Sequence, residues 1–100
     1  MIEIHLSDTF RGWLQTLRDL RAKARVIARI RSAQLGNLGD WASVGDDICE
    51  MRIHYGPGYR VYYRQRSQQW LLLLNGGDKS TQLRDVLKAK TISRLFDVST

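Results

Sequence analysis

Ile2, Ile4 and Leu6 alternate with Glu3 and His5, a period of two that predicts a short strand. Ser7 and Asp8 follow as candidate N-caps, since their oxygens can accept from the free N–H groups of a first helical turn. Phe10, Trp13, Leu14 and Leu17 then recur at helical spacing and mark one buried stripe. Ala22, Val26, Ile27, Ile30 and Ala33 form a second stripe out of phase with the first. Two helices broken near Asp19 and Leu20 are therefore expected, the second stopped by Gly36. Gly, Asn, Asp and Ser dominate from Gly36 to Asp47, which predicts a loop.

Three strands should follow. Ile48 to Tyr55 places Cys49, Met51, Ile53 and Tyr55 on one face and Glu50, Arg52 and His54 on the other. Gly56-Pro57-Gly58 turns the chain. In Tyr59 to Gln65, Tyr59, Val61 and Tyr63 oppose Arg60, Tyr62 and Arg64. Trp70 to Leu74 is apolar on both faces, the mark of a central strand covered on each side, and Gly76 and Gly77 should end it. A last helix is expected from Ser80 or Thr81, with Leu83, Val86 and Leu87 inward. The order β-α-α-β-β-β-α implies a single α+β domain over residues 1–100, an antiparallel-rich sheet with packed helices.

Composition narrows the class. At 100 residues, 43% hydrophobic and 26% charged, the chain reads as one soluble globular domain. No apolar run reaches the roughly 18–20 residues of a membrane helix, and the first residues lack a signal-peptide layout. A lone cysteine, Cys49, allows no internal disulfide and fits a reducing compartment, so a cytoplasmic location without membrane association is expected. Sixteen Lys and Arg against ten Asp and Glu, a net charge of +6, lean toward RNA, DNA or an acidic protein segment as partner.

The candidate chemistry lies on the predicted hairpin. A connection of Gly56 to Gly58 would set Tyr55 opposite Tyr59, His54 opposite Arg60, Arg52 opposite Tyr62 and Glu50 opposite Arg64. Glu50, Arg52, His54, Arg60, Tyr62 and Arg64 would then share one face, unless the register slips by one residue. Such a face suits RNA cleavage without metal, which needs a base for the 2′-hydroxyl, cations for the phosphorane and an acid for the 5′-oxygen. Glu50 or His54 would be the base, Arg52 and Arg60 the phosphate clamp, and Tyr62 a stacking platform or proton donor. The competing explanation is an ordinary exposed polar sheet face, whose cross-strand pairs are worth about 0.2–1 kcal/mol. Lys79, after Asn75-Gly76-Gly77-Asp78, either reaches a phosphate or is solvated beside a helix start; its spacing is not that of a P-loop. His5, His54 and Cys49 do not assemble a metal site, no dinucleotide fingerprint is present, and no cofactor is expected.

Phe10-Arg11-Gly12-Trp13-Leu14, Arg29-Ile30, Gly36-Asn37-Leu38-Gly39-Asp40, Glu50-Met51-Arg52-Ile53, Gly56-Pro57-Gly58-Tyr59-Arg60-Val61-Tyr62 and Gly76-Gly77-Asp78-Lys79-Ser80-Thr81-Gln82 together resemble the RelE/ParE toxin superfamily, in particular its HigB-like addiction-module killer branch. The likeness spans nearly the whole chain, with Gly-Pro-Gly-Tyr-Arg and Gly-Gly-Asp-Lys its most specific parts. It implies the toxin of a type II toxin–antitoxin module, a cognate antitoxin that is usually a helix-turn-helix protein, and a toxin–antitoxin heterotetramer among the assemblies. It also implies metal-independent mRNA cleavage on the ribosome, hence translation arrest. By resemblance Arg60 matches an arginine at the scissile phosphate, Arg52 lies near a family lysine, and Lys79 takes the place of a catalytic arginine. The catalytic set is thus Glu50, Arg52, His54, Arg60 and Lys79, with Tyr62, Arg64, Gln82 and Arg84 as RNA-binding candidates. The family's final-helix tyrosine has no counterpart in Leu83-Arg84-Asp85-Val86, nor is there an Asp-Tyr-His ending, so the general acid is unassigned. Two alternatives stand: a ParE-like inhibitor that binds DNA gyrase without catalysis, and an inactive basic RNA-binding relative. The clustering of Arg52, His54, Arg60 and Lys79 favours the nuclease. The basic helices from Arg11 to Arg31 and the final helix with Arg84 and Lys88 would suit an acidic antitoxin segment, although solubility and rRNA binding account for them equally well.

Overall fold

In the computed structural model, which describes residues 1–99 and the side chains of residues 1–97, the N-terminal alternation forms β1 (Glu3–Leu6). Ser7 caps α1 (Asp8–Thr16): its Oγ accepts from Phe10 N at 3.0 Å and donates to the Leu74 carbonyl. The break falls where the two stripes lose phase. Leu17 ends α1, and Asp19 caps α2 (Leu20–Gln34) by accepting from the N–H groups of Arg21 and Ala22.

Strands β2 (Trp41–Gly45), β3 (Ile48–Ile53), β4 (Tyr59–Ser67) and β5 (Trp70–Asp78) precede a 3₁₀ turn (Lys79–Thr81) and α3 (Gln82–Ser99). The sheet order is β1-β5-β4-β3-β2, with β1 parallel to β5 and the other neighbours antiparallel. Phe10, Val26 and Ala33 pack on Met51, Ile53, Val61, Tyr63, Leu71 and Leu73, the face under α1 and α2. Ala89 of α3 covers Ile48, Tyr62, Leu72 and Leu74 on the other face. Leu71 to Leu74 are therefore buried on both sides, as their unbroken apolar run predicts. No helix among the described residues is long and apolar enough to cross a membrane.

Four local expectations are corrected. The segment expected as a loop contains β2, whose Trp-Ala-Ser-Val alternation sits between turn-forming residues; Asp46 and Asp47 hold φ of 53° and 62° in the tight turn to β3, a conformation that Asp tolerates better than most side chains. The hairpin pairs Arg52 with Arg60 and Ile53 with Tyr59, two residues out of the expected register, and its connection is His54 to Gly58. Tyr55 is drawn off the strand toward α2: its hydroxyl donates to Asp19 and its ring lies 4.7 Å below the Arg25 guanidinium. A slip of two keeps the side chains that remain paired on their expected faces, while His54 and Tyr55 pass into the connection.

Gly76 and Gly77 do not end β5, which runs to Asp78. They lie where α1 and α3 approach the strand from opposite sides: a Cβ at Gly76 would overlap the Trp13 ring, and one at Gly77 the Asp85 carboxylate. That approach rotates α3. Asp85, Ala89 and Ser93 face the sheet with Val86 beside them, while Leu83 and Leu87, expected inward, are 78% and 59% exposed. Small or hydrogen-bonded residues suit this contact because Tyr62, Leu72 and Leu74 already fill the sheet surface, and Asn75 Nδ2 donates to the Asp85 carbonyl at 3.0 Å.

Gly77→Ala should lower stability by about 1–3 kcal/mol in urea unfolding, the cost of overpacking a close contact. Gly12→Ala, whose Cβ would meet nothing within 4 Å, should be neutral or stabilising by about 0.5–1 kcal/mol, as expected in a helix interior. Equal midpoints for the two variants would contradict this seating of α3.

Candidate functional site

Arg52 and Arg60 face each other across β3 and β4, a placement in which like charges repel. Glu50 lies between them. Its Oε2 accepts from Arg52 Nε at 3.1 Å and from Arg60 Nη1 at 2.6 Å, and Gln82 Nε2 donates to its Oε1 at 3.1 Å. The Glu50 side chain is 1% exposed and that of Arg60 14%. Glu50 is thus not placed as the expected general base, since both oxygens are engaged and solvent does not reach them. It holds two guanidiniums and the start of α3 in fixed positions.

Arg52 continues the network outward, its Nη1 3.9 Å from Asp40 Oδ1. Asp40 Oδ2 lies 2.6 Å from His54 Nε2. This hydrogen bond from His54, together with the nearby Arg52 charge, holds the Asp40 carboxyl below the usual carboxylate range. His54 is the first residue after β3, 76% exposed, so an accessible imidazole is oriented by a carboxylate from another segment. Arg29 of α2 fixes that segment by donating to the carbonyls of Arg52 and Leu38, each at 2.8 Å, and of Asp40 at 3.4 Å. Neither Asp40 nor Arg29 stood out in the sequence as a site residue. Asp40 lay in the Gly36-Asn37-Leu38-Gly39-Asp40 segment, and its contact with His54 follows no periodicity.

Lys79 reaches the same rim from the 3₁₀ turn that follows β5. Its N–H donates to the Gly58 carbonyl at 2.8 Å, and with His54 and the turn from Tyr55 to Gly58 it lines an open recess of about 330 Å³. Glu50, Arg52, Arg60 and Gln82 are therefore in direct contact, His54 joins through Asp40, and Lys79 shares the recess with His54. Arg52, Arg60 and Lys79 outnumber the carboxylates of Glu50 and Asp40, which leaves the rim cationic. Among the described residues, no three His, Cys, Asp or Glu side chains converge as a metal-ion site.

Three expected site residues lie elsewhere. Arg64 Nη1 donates to Asp97 at 2.7 Å and to Ser93 at 2.9 Å on the C-terminal half of α3. Arg84 points to the opposite side of the β5 end, where it lines a groove with Trp13 and Tyr59. Tyr62 is fully buried under α3 and no base can stack on it; its polar-looking face is the one that α3 covers. Its hydroxyl has no hydrogen-bond partner among the described residues, and burial, reinforced by the Glu50 charge, raises its pKa to about 12.

No family model matches the chain. An uncharacterized protein of Haemophilus influenzae is 48% identical over 93 residues, covering 93% of this chain and 94% of that protein. A mutant of the E. coli toxin RelE, solved in the free state, shares the fold with a TM-score of 0.54 at 10% identity, over 84% of this chain and 90% of that one. A conserved hypothetical protein from Helicobacter pylori, solved in solution, gives a TM-score of 0.51 at 20% identity, over 80% of this chain and 97% of that one. At these identities the two structures establish a RelE-like fold.

Tyr62→Phe removes a buried hydroxyl that makes no hydrogen bond, so urea unfolding should show stability unchanged or raised by up to about 1 kcal/mol. A loss above about 1 kcal/mol would mean that the hydroxyl has a partner.

Proposed function

We propose, for a chain that belongs to one family with the Haemophilus influenzae protein and carries a RelE-like fold, that it is a type II toxin that cleaves mRNA on the ribosome. The observation that carries this reading is the exposed His54–Asp40 pair, tied through Arg52 to the buried Glu50–Arg60 pair and flanked by Lys79. A gyrase inhibitor that acts by binding alone has no need of a proton-transfer group beside convergent cations.

In this scheme Lys79 and the outer edge of Arg52 hold the scissile phosphate. Neutral His54 accepts the ribose 2′-hydroxyl proton while Asp40 orients the ring and stabilises the imidazolium that forms. The 2′-oxygen bonds to phosphorus, the bond to the 5′-oxygen breaks, and a 2′,3′-cyclic phosphate and a 5′-hydroxyl result. The proton for the departing oxygen comes from the Lys79 ammonium or from water. Arg52 and Arg60, held by Glu50, stabilise charge on the phosphorane without reorganising. The scheme employs no cofactor. The toxin acts in the cytoplasm and is silenced by a cognate antitoxin whose acidic segment meets its basic surface.

Induction of the wild-type chain in a bacterial host should arrest growth and create new mRNA 5′ ends inside translated frames. An Arg52→Ala/Lys79→Ala variant, equally expressed and folded, should cut at least about 100-fold less, the scale of losing one oxyanion donor. Arrest without new ends would overturn the ribonuclease reading and favour gyrase. Equal cutting by both proteins would place the chemistry away from these residues.

A further inference from the structure

Around the end of β5 from the cationic rim lies a groove of about 320 Å³ between α1 and the start of α3, at the lower end of small-molecule site volumes, roughly 300–1,000 Å³. Half-buried Trp13 and Tyr59 form its aromatic walls, with ring centroids 6.4 Å apart and planes inclined at 61°. Gly76 and Gly77 form the floor and keep it open, since side chains there would collide with Trp13 and Asp85. Arg18 and Arg84 stand exposed at the mouth. Arg18 makes no hydrogen bond or ion pair among the described residues, and Arg84 lies 3.8 Å from Asp85 and within electrostatic reach of Asp78. The two carboxylates present are occupied internally: Asp78 accepts from Ser80 and Asp85 from Thr81.

The backbone adds polar groups to this groove. β1 pairs with β5 only as far as Leu73, and Ser7 covers the next carbonyl, that of Leu74. Lys79 N–H bonds to Gly58 on the β4 side. In an antiparallel ladder, alternate residues turn their N–H and C=O the same way, so Gly77 and Asn75 also face β4. Gly76 and Asp78 then direct theirs to the edge that has no partner strand, beside Trp13.

Aromatic planes, main-chain donors and acceptors at a strand edge, and arginines at the mouth are what an unstacked nucleobase with flanking phosphates requires. We propose that this groove binds a base of single-stranded RNA next to the cleavage position, a proposal that rests on the reading of the chain as a ribonuclease. The two places are continuous along the chain: Tyr59 of the groove follows Gly58 of the recess, and Asp78 of the groove precedes Lys79 of the recess. A strand whose phosphate lies at Lys79 passes over this rim, and its neighbouring base enters between α1 and α3. Arg84 then contacts RNA as the sequence suggested, but in the groove rather than at the cationic rim.

The test is an NMR titration of the full chain with a single-stranded RNA hexamer carrying 2′-O-methyl riboses, which cannot be cleaved. The Trp13 indole and Gly76 amide signals should shift together with those of Arg52, His54 and Lys79. Arg18→Ala/Arg84→Ala should weaken binding by roughly tenfold, through loss of the cations that hold the flanking phosphates while the aromatic walls remain. Shifts confined to Arg52, His54 and Lys79, or unchanged affinity in the double variant, would overturn the groove and leave the ribonuclease reading standing. No shift at either place would also overturn the groove, while the mapping of new mRNA 5′ ends decides the ribonuclease reading separately.

Discussion

A carboxylate removed from water must be matched by charge and hydrogen bonds, because the effective penalty for burying one ion is several kcal/mol. Glu50, 1% exposed, satisfies this with donors from β3, β4 and α3. The demand also runs the other way. Arg52 and Arg60 lie directly opposite one another in the hairpin, and without a carboxylate between them their repulsion would oppose that register. One group therefore fixes the hairpin pairing, the seat of the first turn of α3 through Gln82, and the direction in which Arg52 extends.

The proton-transfer pair depends on that direction. Arg52 points to Asp40, and its own carbonyl receives Arg29. Arg29 in turn holds the backbone of the segment bearing Asp40. His54, the first residue released from β3, is caught by Asp40 instead of sampling the solvent. A buried charge network thus supports an exposed, oriented imidazole. The rigid part carries positions and the accessible part carries the chemistry, an arrangement expected of sites that keep their geometry through a reaction.

Much of this was legible from periodicity. The stripes of α1 and α2 lost phase at Asp19, where the chain does break, and the doubly apolar Leu71 to Leu74 is the strand covered on both sides. The faces of Glu50, Arg52 and Arg60 were also legible, because a register slip of two preserves them. What failed depended on contacts distant in sequence. Tyr62 alternates as an exposed residue would, yet α3 packs over it. Leu83 and Leu87 looked like core, but Gly77 and Asn75 bring Asp85 to the sheet and turn them outward. Gly76 and Gly77 resembled a strand end because a glycine required by close approach has the same local signature as one required by a turn. Asp40 was hidden because its partner lies fourteen residues away in the chain.

Glu50 acts as a buried positioning group for the arginines, and a double-mutant cycle measures that pairing. Urea unfolding of wild type, Glu50→Leu, Arg60→Met and the double variant gives the coupling between the two side chains. Each single change should be strongly destabilising and the double variant much less than their sum, with a coupling of about 2–3 kcal/mol. A coupling within about 0.5 kcal/mol of zero would make Glu50 and Arg60 independent residues and leave the cationic rim without its support.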